Sequence, residues 1–276
     1  MRSGRVFPPH RLPPGFLATL QNPPDPPAIP RPSATLALLR DGVHGLETVL
    51  MKRSPRAGFI PGAWVFPGGT LDSSDRDPAT LQRVEGLSRA SAQERFDEAR
   101  SDPPAFAYWV AALREAFEET GILPGLREDR GDIPEPTRSM LLSGETTFLD
   151  ILDRMDVALD IRAMEYVGHW VTPICEPRRY ETRFFVVKVG NDAEVTPFEA
   201  EMVDALWLSP EEAVSRNEEG RLPLVFPTLL TLEMLAPFSS ADEALENLRG
   251  RPIQRRLPEP EIHPDGVNFL LPTFPD

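Results

Sequence analysis

Three glutamates stand close together in this chain, at a spacing that gathers them on one face of a helix. In Ala105-Phe-Ala-Tyr-Trp-Val-Ala-Ala-Leu-Arg114-Glu115-Ala-Phe-Glu118-Glu119-Thr-Gly121, a helical advance of about 100° per residue sets Glu115, Glu118 and Glu119 within an arc of roughly 100°. Phe106, Val110, Leu113 and Phe117 fall on the opposite side, so the helix is expected to bury that stripe and present its acids. Carboxylates near a helix C-terminus repel one another and meet the negative end of the helix dipole, an unfavourable arrangement unless a positive group joins them. A hard divalent cation held by oxygen ligands is such a group. The competing reading is a solvated acidic surface.

A second element favours a site. Upstream, Trp64-Val65 reads as a short apolar strand running into Phe66-Pro67-Gly68-Gly69, a turn whose glycines let backbone approach a ligand closely. The helix itself is bounded by Asp102, the expected N-cap, with Pro103 and Pro104 in its first turn, and by Gly121, suited to the left-handed residue that closes it.

These residues resemble the Nudix hydrolase family, whose box runs Gly, five residues, Glu, seven residues, then Arg-Glu-apolar-any-Glu-Glu-any-Gly-apolar. The second half is matched throughout by Arg114, Glu115, Ala116, Glu118, Glu119, Gly121 and Ile122. In the first half Gly69 is followed at the Glu spacing by Asp75, and the gap from there to Arg114 is far longer than in the box. A box split by an insert, followed by Trp170-Val-Thr-Pro173 and Arg178-Arg-Tyr-Glu-Thr-Arg183-Phe-Phe, is similar to the branch typified by the peroxisomal coenzyme A diphosphatases of animals.

Composition bounds the reading independently. A chain of 276 residues with 41% hydrophobic residues and no long apolar run is expected to fold as a globular protein without a membrane span. Its net charge of −14 argues against nucleic acid and membrane surfaces as partners. A small anionic nucleotide remains admissible where a metal and local cations offset that field. The single cysteine, Cys175, makes no internal disulfide and reads as a packed, inert thiol, so the chain needs no oxidising compartment. Prolines follow the basic first residues where a secretory signal would be apolar, and Thr273-Phe-Pro-Asp276 spells no peroxisomal address. The expected location is cytoplasmic.

Residues 1–32 are Pro-rich and expected to run extended along a surface or stay mobile. Ala34 to Arg40 and Leu46 to Arg53 read as a hairpin, after which Lys52, Arg53 and Arg56 bring positive charge next to the Gly68-Gly69 turn. Ser54 and Gly62 keep the spacing of a signature found in coenzyme A-using relatives, whereas Gly58 stands where that signature has Arg. The insert, about 76–101, reads as two helices, Pro78 to Gly86 and Ala92 to Arg100, that either close over the site or pad the scaffold. A helix over 148–155, strands over 166–172 and 182–189 and a strand over 205–208 follow, then helices over 227–235 and 241–249. His169 has no ligand-spaced partner and reads as a structural or substrate-contacting residue. Residues 261–276 read as a tail.

The resemblance implies an α/β/α sandwich with a mixed β-sheet, helical inserts and a helical C-terminal portion over residues 33–260. It implies Glu115, Glu118 and Glu119 as metal ligands, Asp75 in the place of the missing box Glu, Arg114 as the residue that orients a carboxylate, and Glu201 as a further ligand or general base. The ligand set suits Mg²⁺, with Mn²⁺ as a substitute. The substrate contacts expected are Gly68, Gly69, Lys52, Arg53, Arg56, Arg178 and Arg179. The implied reaction is metal-dependent hydrolysis of a diphosphate, foremost in coenzyme A or acyl-coenzyme A, giving 3′,5′-ADP and a phosphopantetheine. ADP-ribose or nucleotide-sugar hydrolysis and a non-catalytic nucleotide-binding regulator are the alternatives; a homodimer is compatible with all three.

Overall fold

The central strands of this chain are apolar on both of their faces, the pattern of a sheet covered on both sides. The computed structural model describes residues 3–12, 15–96, 103–126, 133–198 and 200–271. The expected N-cap Asp102, the end of the second insert helix and the last residues Thr273 to Asp276 lie outside that description. In chain order the elements are β1 (Ser3–Phe7), α1 (Phe16–Gln21), β2 (Arg31–Gly42), β3 (Gly45–Arg53), β4 (Trp64–Val65) and β5 (Gly68–Thr70). The insert supplies α2 (Pro78–Gln82), β6 (Val84–Glu85) and α3 (Arg89–Arg95), and the acidic stretch is α4 (Ala105–Thr120). Then come α5 (Glu135–Ser143), α6 (Phe148–Arg154), β7 (Leu159–Asp160), β8 (Glu165–Val171), β9 (Tyr180–Lys188) and β10 (Met202–Leu208). The chain ends with α7 (Pro210–Glu218), α8 (Phe226–Leu235), α9 (Ala241–Leu248), β11 (Arg255–Arg256), β12 (Glu259–His263) and β13 (Gly266–Leu271).

The main sheet has the order β10-β3-β2-β9-β8-β11, with β4 added to β3 and β5 to β2. β2 and β3 form the expected antiparallel hairpin, with Leu39 opposite Thr48. β2 and β9 run parallel, so the sheet is mixed. Alternation along β2 sends Leu36 and Leu38 into a core shared with α4, α6 and the insert. Ala37 and Leu39 enter a second core, under α1, α7, α8 and α9. The layering is α/β/α.

The expectation of a one-sided α4 is corrected. All its residues from Ala105 to Thr120 are buried except Glu115 and Glu118, which are partly exposed. Trp109 explains the difference: its ring meets Phe185 of the sheet at 4.7 Å on one side and stacks on Phe96, just after α3, at 5.1 Å on the other. The insert therefore covers a helix that would otherwise expose apolar surface. It is fastened by charge as well, since the buried Glu165 of β8 accepts from Arg95 of the insert and from Arg249, each at 3.2 Å.

The two ends of the chain also differ from expectation. β1 pairs with β13, and β13 with β12, in a separate three-stranded sheet. Neither segment is a free tail, because this pairing satisfies their backbone donors and acceptors. Phe7 and Phe269 from these segments pack with Phe226 of α8 at ring separations of 5.4 and 5.2 Å, and Phe16 packs on Phe269 at 5.4 Å.

Phe96 tests the place of the insert. Phe96→Ala removes an aromatic wedge against Trp109, Tyr108 and Tyr166, and the expected loss is about 3–5 kcal/mol of unfolding free energy. Chemical denaturation of the metal-free protein measures it; an unchanged midpoint would contradict the packing role.

Candidate active site

The second half of α4 runs against β5, and glycine makes the approach possible. A Cβ on Gly69 would stand 2.5 Å from the carboxyl carbon of Glu115, so a side chain there would displace that carboxylate from its place beside the strand. Gly68 donates its backbone N–H to Glu119 Oε2 at 3.0 Å. Gly121 ends the helix as expected, with φ of 81°.

Arg114 joins the parts. Its Nε and Nη2 donate to the two oxygens of Asp75 at 2.8 and 2.9 Å, and Nη2 also reaches the Thr70 carbonyl at 3.1 Å. Nη1 donates to Glu115 at 3.0 Å and to both oxygens of Glu118 at 3.2 Å. Arg138 caps the helix end, donating from Nε and Nη2 to the Glu118 carbonyl at 3.0 and 2.7 Å. A bidentate guanidinium–carboxylate pair is the strong form of such a contact.

This geometry corrects the place expected for Asp75 among the metal ligands. Its carboxylate is 1% exposed, takes both hydrogen bonds from Arg114, and accepts from the Asp72 N–H at 2.7 Å. The side chain is too short to pass Arg114, and the 3₁₀ turn over Ser74–Arg76 holds it beneath the guanidinium. It is a positioning group for Arg114 and does not line the cleft.

That cleft, about 730 Å³ in volume, is lined by Glu115, Glu118, Glu119, Glu201, Gly68 and Gly69 together with Arg53 and Arg178. Burial pushes the Glu115 carboxyl up to about 7, against the pull of Arg114, with Glu118 adding repulsion. Burial likewise raises Glu118, and it raises Glu119 well above the usual range, where Glu115 adds to the effect and the Gly68 N–H opposes it. Glu201 stands on the loop before β10, and its carbonyl accepts from the Ser54 N–H at 2.8 Å.

The five expected cations separate. Arg53 lines the cleft with Nε donating to the Phe59 carbonyl at 3.1 Å, and Arg178 lines it with Nη1 donating to the Gly58 carbonyl at 2.5 Å. Gly58 leaves room for that guanidinium, which a Cβ would displace. Lys52 precedes Arg53 on β3 and so projects to the other face, where it lies 5.8 Å from the centre of the Trp64 ring. Arg56 is exposed on its loop and Arg179 is buried, bonded to the carbonyls of Thr172 at 3.0 Å and Ala28 at 2.8 Å. None of these three lines the cleft, so their expected substrate contacts are corrected: Arg179 holds the N-terminal segment to the turn before β9.

Other residues came unannounced. Phe59 and Tyr180 meet at 5.0 Å beside Arg178, and Phe7, Leu12, Phe16, Phe226 and Phe269 also line the cleft. Neighbouring Phe and Tyr residues do not signal a binding wall until strand pairing assembles them. No described residue of the insert lines the cleft, which favours padding over a lid. His169 is buried against Glu181 at 2.8 Å, its pKa lowered by that burial. Cys175 is buried with its thiol pushed up to about 11 by desolvation, which suits an inert side chain.

The donor set fits a hard divalent cation by chemistry and by charge: carboxylates gathered on one wall, raised by burial and by one another, with Arg114 as their nearest counter-charge. Among the described residues no three such side chains are spaced as a ready-made cage. Arg114 currently draws Glu115 and Glu118 to itself. Among the described residues no helix is long and apolar enough to cross a membrane.

A mixed-sheet α/β/α sandwich with an Arg-Glu helix pressed on a Gly-Gly strand defines the Nudix class of hydrolase. A Nudix hydrolase from Alicyclobacillus acidocaldarius superposes with a TM-score of 0.70 at 29% identity, covering 82% of this chain and 99% of that one. Residues 28–235 match the family model described as the NUDT19 Nudix domain, and the chain belongs to that family. Relatives named acyl-coenzyme A diphosphatase NUDT19, from Homo sapiens and Gallus gallus, are each 30% identical, over 83% and 82% of this chain and 72% and 71% of theirs. The protein is thus an enzyme of the Nudix hydrolase class, whose members generally use divalent cations.

Two expectations follow from this electrostatic arrangement. Asp75→Asn leaves the buried Arg114 short of its paired charge and should cost about 3–5 kcal/mol of stability without metal; denaturant unfolding reads it, and a shifted metal titration with unchanged stability would instead restore Asp75 as a ligand. Between the ordinary carboxylate value of 4.5 and about 7 the folded chain holds more protons at Glu115 than the unfolded chain does. Stability of the metal-free protein should therefore fall as pH rises through that window. A thermal midpoint that stays level from pH 5 to 8, or that added Mg²⁺ leaves unmoved at pH 8, would contradict the reading.

Proposed function

We propose that this enzyme hydrolyses the diphosphate of coenzyme A and acyl-coenzyme A to 3′,5′-ADP and a phosphopantetheine, with Mg²⁺ as the working cation and the cytoplasm as its location. The observation that carries the reading is the cleft itself, where Glu115, Glu118, Glu119 and Glu201 face the same space as Arg53 and Arg178. The names of the relatives from Homo sapiens and Gallus gallus support the choice of substrate.

Glu115, Glu118 and Glu119 would hold the cation. When bound, it neutralises the diphosphate oxygens and makes water more acidic. Arg114 fixes the positions from which Glu115 and Glu118 act. Glu201, on a loop rather than on the crowded helix, is the group we assign to accept the proton of the attacking water. Arg53 and Arg178 meet phosphate oxygens, and Gly68 and Gly69 leave space for them at the strand. The 3′-phosphate of coenzyme A falls to Arg178, beside the Phe59 and Tyr180 rings that can flank a base.

A Mg²⁺-dependent panel of coenzyme A, acyl-coenzyme A, dephospho-coenzyme A, ADP-ribose and nucleotide sugars, with products identified by mass, tests the reading. Coenzyme A and its acyl forms should be cleaved best. Glu118→Gln should lower turnover on them by about a hundredfold or more while the metal-free fold is retained. Preference for ADP-ribose, or full activity in Glu118→Gln, would overturn the substrate or the ligand assignment respectively.

A further inference from the structure

Building on the acyl-coenzyme A reading above, we infer that the first and last segments of the chain form an acyl-chain arm of the cleft and set the enzyme's chain-length preference. Phe7, Leu12, Phe16 and Phe269 line the cleft yet lie outside residues 28–235, the part matched by the family model. They come from β1, the turn after it, α1 and β13, and Phe226 of α8 joins them from within the matched part.

These residues form a ring cluster of their own. Phe7 meets Phe226 and Phe269 at 5.4 and 5.5 Å, Phe226 stacks on Phe269 at 5.2 Å, and Trp170 meets Phe226 at 5.7 Å. Another ring pair of the cleft, Phe59 on the loop after β3 with Tyr180 at the start of β9, stands by Arg53 and Arg178. The lining therefore divides by chemistry into a charged and aromatic part and an apolar one.

The two halves of an acyl-coenzyme A divide in the same way. Its adenosine 3′,5′-diphosphate is anionic and heteroaromatic, whereas the acyl chain carries no charge and no strong hydrogen-bonding group. Among the described residues the charged side chain on these terminal elements that lines the cleft is Arg11, whose Nη2 donates to Asn217 Oδ1, whose Nε is buried without a hydrogen-bond partner, and whose guanidinium lies 5.1 Å from the centre of the Phe7 ring. A phosphate placed there would lose hydration against phenyl rings, while an alkyl chain gains by leaving water.

The experiment measures kcat/KM for coenzyme A and for acetyl-, octanoyl- and palmitoyl-coenzyme A in the wild-type enzyme, Leu12→Trp and Phe16→Leu. Each value is expressed as a ratio to that for coenzyme A in the same preparation, so that losses of folded protein cancel. A fully buried methylene is worth about fourfold, and the wild-type ratio is expected to rise at least tenfold from acetyl to octanoyl. Leu12→Trp, which fills the arm, should remove most of that rise, and Phe16→Leu should reduce it. A level chain-length profile with coenzyme A still cleaved overturns this inference and leaves the proposed function standing. A rising profile that both variants leave intact places the acyl chain elsewhere and overturns it as well. Cleavage of none of the four substrates overturns the proposed function and this inference with it.

Discussion

The buried guanidinium of Arg114 is the constraint on which the site depends. One side chain reaches Asp75, the Thr70 carbonyl, Glu115 and Glu118, joining the start of the insert, the Gly-Gly strand and the acidic helix. Taking such a charge out of water is costly, and bidentate pairing with a buried carboxylate offsets that cost only while the geometry holds. With the helix held this near the strand, the Glu115 carboxylate occupies the space that a side chain at position 69 would need. The same closeness concentrates negative charge, which makes a divalent cation the natural complement of the site.

Covering α4 is a second requirement of that arrangement. A helix carrying three acids at one end still has to bury Trp109, Phe106 and Phe117, and the sheet takes only one side of it. The insert takes the other through Phe96, and Arg95 closes on Glu165 beneath it. Interrupting the box therefore does not dismantle the site: Asp75 stays before the insert, Arg114 stays after it, and tertiary packing brings them to 2.8 Å.

The cleft draws on distant parts of the chain. Its acidic wall comes from α4, its cations from the end of β3 and the turn before β9, and its phenyl wall from the two ends paired as β1 and β13. Pairing the ends does more than protect strand edges, since it sets Phe7 and Phe269 in contact and on the cleft. Segments that look peripheral in the sequence become part of its surface.

Local periodicity and spacing made a good part of this legible. The 3.6-residue period placed Glu115, Glu118 and Glu119 on one face, Gly121 marked the helix end, and alternation in 34–40 and 46–53 gave the hairpin. Each of these depends on residues a few positions apart, and steric and dihedral preferences act at that range. What tertiary structure alone decided is which groups meet across long separations. Asp75 reads as a box position in the sequence and becomes the partner of Arg114 because the turn over Ser74–Arg76 packs under the helix. Arg53 and Lys52 are neighbours with the same charge, yet only Arg53 reaches the cleft, since the pleat sends them to opposite faces. Proline-rich composition suggested an extended or mobile N-terminal segment, and β1 was hidden because its pairing partner, β13, lies at the far end of the chain, although β13 also forms a local hairpin with β12. Composition and period report local preference; a partner more than two hundred residues away is fixed by the fold that brings the two together.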